Sequence, residues 1–96
     1  MDSTVIVVPC YNEARRLQAA SFQSFVRRHV DVRLLLVDDG SQDETLAQLQ
    51  RLSARCPGGI NVLALPKNQG KGEAVRQGVL EVLNGNVDYV GYWDAD

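Results

Sequence analysis

Leu34-Leu35-Leu36-Val37-Asp38-Asp39-Gly40-Ser41 is the stretch whose reading decides the fold. Four apolar residues run straight into two carboxylates, a glycine and a serine. An unbroken apolar run of this length suits a parallel β-strand covered on both faces. Carboxylates cannot follow it into the core without partners, so Asp38 and Asp39 belong at the strand's carboxyl end. The pattern recurs on both sides. Val5–Val8 runs into Pro9-Cys10-Tyr11-Asn12-Glu13, and Tyr89–Trp93 runs into Asp94-Ala95-Asp96. Three strands therefore deliver acidic or polar residues to one edge of one sheet, the edge at which open α/β sheets bind ligands.

The intervening segments read as helices. Thr4–Val8 is the first strand, ended by Pro9, which has no N–H for the ladder. Glu13 to Arg28 predicts a helix with Asn12 as N-cap and Ala14, Leu17, Phe22, Phe25 and Val26 near one face. Arg27, Arg28 and His29 fall in its last turn, where cations suit the dipole. Val32–Val37 is the second strand. Ser41-Gln42-Asp43-Glu44 predicts a capping box ahead of a helix with Leu46, Leu49 and Leu52 on its core face, stopped by Pro57-Gly58-Gly59. Ile60–Leu65 is a third strand, followed by a loop at 66–72, a helix from Glu73 to Leu83 and a fourth strand at Tyr89–Trp93. Strict β-α alternation with short connections predicts a parallel sheet of four strands with right-handed crossovers and helices on both faces. An order of 3-2-1-4 would put the switch point between strands 1 and 4.

Composition narrows the function classes. The 96 residues make one domain, 1–96, and 45% hydrophobic content is that of a folded core. A net charge of -2 offers no basic surface for nucleic acid. The apolar runs are strand-sized, too short to span a bilayer, and no charged segment precedes an apolar one in the manner of a signal peptide. Cys10 and Cys56 imply neither a disulfide framework nor a zinc site, so a reducing, cytoplasmic setting is expected.

Asp94 and Asp96, two residues apart beyond a strand, are a donor set for a hard cation such as Mg²⁺ or Mn²⁺, which takes oxygen ligands together with substrate phosphates. Glu13, Asp38, Asp39, Asp94 and Asp96 brought together would repel one another, and a divalent metal, or Lys71 and Arg76, would neutralise them. The loop Gly70-Lys71-Gly72 matches neither a Walker A motif nor a dinucleotide fingerprint, since Val75 stands where a third glycine would be. It reads as a flexible lead into a helix, or as a loop carrying Lys71 over a bound anion.

Four blocks together carry a resemblance. Val8-Pro9-Cys10-Tyr11-Asn12-Glu13, Val37-Asp38-Asp39-Gly40-Ser41-Gln42-Asp43-Glu44-Thr45, Asn68-Gln69-Gly70-Lys71-Gly72-Glu73-Ala74-Val75-Arg76-Gln77-Gly78 and Asp94-Ala95-Asp96 resemble, in order and spacing, the signature blocks of family 2 glycosyltransferases with the GT-A fold. The third block is most similar to that of synthases that load mannose or glucose onto a polyprenyl phosphate. The resemblance implies a Rossmann-like, three-layer half domain that binds a UDP- or GDP-sugar for inverting transfer to a polyprenyl phosphate or glycan. It places Tyr11 against the nucleotide base, with Pro9 of the same block among the nucleotide-sugar contacts, and turns Glu13 toward the ribose. Asp38 or Asp39 would hydrogen-bond base or ribose, Lys71 and Arg76 would help hold the nucleotide, Asp94 would face ribose or sugar, and Asp96, with Asp94, would ligate the metal.

The family's catalytic domain is longer than this chain. The expectation is accordingly a donor-binding half, with the acceptor site and general base beyond Asp96, inactive alone, acting in the full-length protein in the cytoplasm or at the cytoplasmic face of a membrane. An apolar edge strand at 89–93 is expected to self-associate. Two other readings share the fold class. A phospho-receiver would need its acid pair after strand 1, where this chain has Tyr11-Asn12-Glu13. A sugar-phosphate nucleotidyltransferase usually opens with a glycine- and arginine-rich loop at the same place.

Overall fold

The structure, a computed structural model, describes residues 3–94. Its elements alternate without exception: β1 (Thr4–Cys10), α1 (Ala19–Arg28), β2 (Val32–Asp39), α2 (Thr45–Arg55), β3 (Ile60–Leu65), α3 (Lys71–Leu83) and β4 (Tyr89–Tyr92). The strands form one parallel sheet in the order β3-β2-β1-β4. That is the parallel architecture the alternation predicts, in the 3-2-1-4 order that puts the switch point between strands 1 and 4.

Side-chain alternation along the two central strands divides the core into two layers. Val8, Cys10, Leu34 and Leu36 face α1 and α2, meeting Phe22, Val26, Leu49 and Leu52. Val5, Val7, Leu35 and Val37 face α3, meeting Ala74 and Val82. Helix α3 sits close on the sheet because Gly78 has no side chain: a Cβ there would lie 2.5 Å from Val7 Cγ1 and 2.9 Å from Val37 Cγ2. Among the described residues no helix is long and apolar enough to cross a membrane.

Several local expectations are corrected. The first strand does not stop at Pro9. It continues to Cys10, and Pro9 pairs in register with Val37 of β2. Val7 O accepts from Trp93 N at 3.0 Å, so Val7, and Pro9 two residues on, present their backbone polar groups toward β4. The ladder between β1 and β4 stops short of Pro9, so the absent N–H costs no ladder bond.

The first helix begins at Ala19, not Glu13. Asn12 is no N-cap; it takes a left-handed conformation, φ +49°. The backbone N–H groups of Asn12, Glu13 and Ala14 donate instead to Ser41 Oγ, Thr45 Oγ1 and Asp43 Oδ2. The capping box does not form, because Ser41 Oγ is taken by Asn12; Asp43 Oδ1 accepts from the Thr45 N–H instead, at 2.9 Å. Helix α3 starts two residues early, at Lys71.

At the other end of α1, His29 is the residue that follows the helix and caps it. Its N–H closes the helix on Phe25 O, and its ring lies 4.6 Å from the Phe25 ring. The end of β4 is fastened to the same helix. The Trp93 ring meets Phe22 edge-on at 5.2 Å and lies 5.6 Å from Phe25. That contact fixes where Asp94, the next residue, leaves the sheet.

Candidate functional site

The carboxyl ends of β1 and β2 and the start of α3 enclose a cleft of about 330 Å³. Pro9, Cys10, Tyr11 and Glu13 line it from the end of β1 and the turn that follows. Asp39 lines it from β2, Asn68 and Gly70 from the β3–α3 connection, Lys71 from the start of α3, and Arg16 from the β1–α1 connection. A cavity of about 150 Å³ adjoins it, sharing Pro9, Cys10, Glu13 and Arg16 and reaching to Trp93 and Asp94. Of the residues predicted for the site, Pro9, Tyr11, Glu13, Asp39 and Lys71 come together in the main cleft, and Asp94 borders the adjoining cavity. Asp96 lies outside the described residues.

Asp38 and Arg76 are not brought there. Asp38 follows Leu34 and Leu36 onto the α2 face, so strand alternation parts it from Asp39. Its Oδ2 accepts from Ser41 N at 3.3 Å, and its buried Oδ1 has no hydrogen-bond partner among the described residues. Arg76 is five residues beyond Lys71, about 140° around the helix at 3.6 residues per turn. It pairs with Glu73 at 2.9 Å on the outer surface.

Asp39 is 2% exposed and its carboxylate is spent on one loop. Oδ1 accepts from Gln69 N at 2.8 Å, and Oδ2 accepts from Asn68 Nδ2 and Gly70 N, both at 2.9 Å. The acid end of β2 thus holds the segment that begins α3, with Gly70 at φ +99° as the residue before the helix. Lys71, the first residue of α3, donates from Nζ to both oxygens of Asp94 at 3.0 and 3.1 Å, linking α3 to the end of β4. An exposed pair of this kind contributes only about 0.2–1 kcal/mol, so its importance is positional.

Charge in the cleft is balanced by matching. Glu13 faces Arg16 at 3.2 Å, Asp94 faces Lys71, and Asp39 takes amides. Of the acidic residues expected to gather here, Lys71 pairs with Asp94 and Arg16 with Glu13, whereas Arg76 pairs with Glu73 away from the cleft. Arg16, Asn68 and Cys10 in the main cleft, and Trp93 in the adjoining cavity, are among the lining residues that sequence reasoning missed. Arg16 was hidden because its segment reads as helix. Asn12, Ser41, Asp43 and Thr45 were the available signal, since short polar side chains compete for backbone donors.

Asp43 fastens this arrangement from behind. Its carboxyl is held below the ordinary value of 3.8, chiefly by the Thr45 hydroxyl, with the N–H groups of Thr45 and Ala14 adding to the effect and partial desolvation opposing it. A depressed folded-state value means the contribution is complete above the ordinary carboxylate range and is lost as pH falls through the lower, folded value. Asp43→Asn should therefore be less stable than the wild-type chain at pH 7, with the gap closing below about pH 3.8, the value from which the group is lowered. Urea melts across that range read this directly; a gap independent of pH would contradict it.

The family model for "Glycosyl transferase family 2" matches residues 5–96. The chain is 35% identical over 83 residues to dolichyl-phosphate beta-glucosyltransferase of Mus musculus, covering 77% of this chain and 26% of that protein. Among solved structures, S. aureus TarS 1-349 in complex with UDP superposes with a TM-score of 0.70 at 21% identity, over 98% of this chain and 27% of that one. The mannosyltransferase PcManGT from Pyrobaculum calidifontis, in complex with GDP-Man and Mn²⁺, gives a TM-score of 0.62 at 22% identity, over 81% and 24%. The chain spans about a quarter of the length of the curated relatives it matches.

Proposed function

This chain belongs to glycosyl transferase family 2 and carries the GT-A fold, and from that premise we propose that it binds the nucleotide of a UDP- or GDP-sugar in the cleft between β1, β2 and α3. One observation carries the reading. Tyr11 and Pro9 give the cleft a flat apolar wall, while Lys71 and the start of α3 give it a cationic one. A base suits the first wall. A diphosphate suits the second, where helix N–H groups and an ammonium favour negative charge. Asp39 acts mainly by holding the 68–70 loop in place.

Asp94 fits the divalent cation the family implies by its donor chemistry: it is a carboxylate at the rim, with 44% of its side chain exposed. Among the described residues no group of three His, Cys, Asp or Glu side chains forms an all-protein cage. Mg²⁺ is commonly held by one or two carboxylates plus substrate phosphates, and Asp94 with Asp96 would supply those two. When bound, the cation would offset diphosphate charge as the leaving group departs. The polyprenyl phosphate acceptor is inferred from the dolichyl-phosphate glucosyltransferases among the relatives.

Thermal unfolding tests the proposal. UDP or GDP at a hundredfold its dissociation constant should stabilise the chain by about 2.7 kcal/mol, and the nucleotide should bind more tightly when Mn²⁺ is added. Lys71→Ala should weaken the nucleotide at least about tenfold, since a hydrogen bond to a charged group contributes about 1.5–3 kcal/mol. Stabilisation by acetyl phosphate with Mg²⁺, and none by either nucleotide, would instead favour a phospho-receiver.

A further inference from the structure

Residues 13–20 read Glu-Ala-Arg-Arg-Leu-Gln-Ala-Ala, a run of strong helix formers, yet α1 begins only at Ala19. The local preference is overridden from outside. Glu13 N donates to Thr45 Oγ1 at 2.8 Å, Asn12 N to Ser41 Oγ at 3.0 Å and Ala14 N to Asp43 Oδ2 at 3.4 Å. Held in this way, the segment makes a tight turn closed by Arg16 N on Glu13 O at 2.9 Å. Places where a chain breaks its own local rule are often functional. Here the break sets Arg16 on the rim of both the main cleft and the adjoining cavity.

Arg16 and Lys71 are the cationic residues lining the main cleft among the described residues, one from the β1–α1 connection and one from the start of α3. Lys71 is paired with Asp94, so a second cation on the cleft wall adds charge of the sign a diphosphate needs. The Arg16 side chain is 70% exposed, and Glu13 Oε1 holds one of its terminal nitrogens at 3.2 Å. A guanidinium presents five donors in a planar fork that fits phosphate oxygens in pairs, so a single bond to Glu13 orients it without exhausting it.

We infer that Arg16 binds a phosphate of the nucleoside diphosphate, across the cleft from Lys71, with Glu13 as the residue that positions its guanidinium. The inference rests on the nucleotide-binding reading above and adds a contact which that reading does not contain.

The test is an NMR titration of the wild-type chain, Arg16→Gln and Arg16→Lys with UDP and GDP, and with uridine and guanosine. For the diphosphate that the wild type binds, Arg16→Gln should weaken affinity about two- to fivefold, the size expected for one partly exposed charged contact. Its nucleoside should bind all three chains equally, and Arg16→Lys should retain part of the loss. Unchanged diphosphate affinity in Arg16→Gln overturns the inference and leaves the nucleotide-binding reading standing. Equal losses for nucleoside and diphosphate also overturn it, since a phosphate contact cannot act on a ligand without phosphate. A wild-type chain that binds neither UDP nor GDP overturns both.

Discussion

Gly40→Ala is expected to destabilise the chain by about 3 kcal/mol or more and to abolish nucleotide protection at the same time. Gly40 has φ +66°, where an L side chain costs about 1–2 kcal/mol. The steric term is larger. A Cβ on Gly40 would lie 2.2 Å from the Lys67 carbonyl carbon, 2.3 Å from Asn68 N and 2.6 Å from Lys67 Cα. All three are backbone atoms, so no rotamer change relieves the overlap. Either the β2–α2 turn or the β3–α3 loop must move. The loop carries Asn68, Gln69 and Gly70, which Asp39 grips one residue before Gly40, so displacement reaches the cleft directly. Urea denaturation reads the stability, and a loss under about 1 kcal/mol would show that the two segments do not cross this closely.

Asp39→Ala should cost a comparable amount, about 3 kcal/mol, by a different route. The change removes a carboxylate that is 2% exposed and accepts two backbone N–H groups and the Asn68 amide. Each donor stranded without a partner costs about 1–3 kcal/mol, and the contributions are not additive within one network. Loss of the grip should also free the 68–70 segment from β2. Amide exchange at Gln69 and Gly70 should then accelerate far more than exchange in β1. Nucleotide affinity should fall even at temperatures where the variant remains folded, because Lys71 is carried by the released segment. Protection of Gln69 and Gly70 equal to that in the wild type would contradict the role given to Asp39. Asp38→Ala, on the opposite face of the same strand, should leave both the loop and the nucleotide affinity intact.

The contrast between these two neighbouring aspartates shows what was legible in the sequence. The apolar runs of β1, β2 and β4 ending in polar residues were enough to place the cleft edge, and strict alternation the parallel sheet; the order β3-β2-β1-β4 is the one that puts the switch point between β1 and β4. Strand alternation already implies that Asp38 and Asp39 point to opposite faces, and helix periodicity already parts Arg76 from Lys71; both facts were present in the spacing. What was not legible depends on contacts between distant segments. The late start of α1 is set by Ser41, Asp43 and Thr45 capturing backbone donors about thirty residues away. Pro9 is tolerated inside a strand because β4 is shorter than β1, which no property of residues 4–10 reveals. Ser41 looks like a helix cap until Asn12 takes its hydroxyl. In each case a side chain with two available partners chose the tertiary one, and Arg16 entered the site as a consequence.

The central claim is that the cleft bounded by Tyr11, Asp39 and Lys71 is a nucleotide site with a cation at Asp94. Titration of isotope-labelled chain with UDP and GDP in the presence of Mg²⁺, followed by trace Mn²⁺, tests it most directly. The account predicts amide shifts concentrated at Tyr11, Asn68, Gly70 and Lys71, with paramagnetic broadening centred on Asp94. Shifts concentrated instead at the opposite end of the sheet, in the groove lined by Arg33, Asn61 and Asn86, or broadening centred away from Asp94, would contradict it.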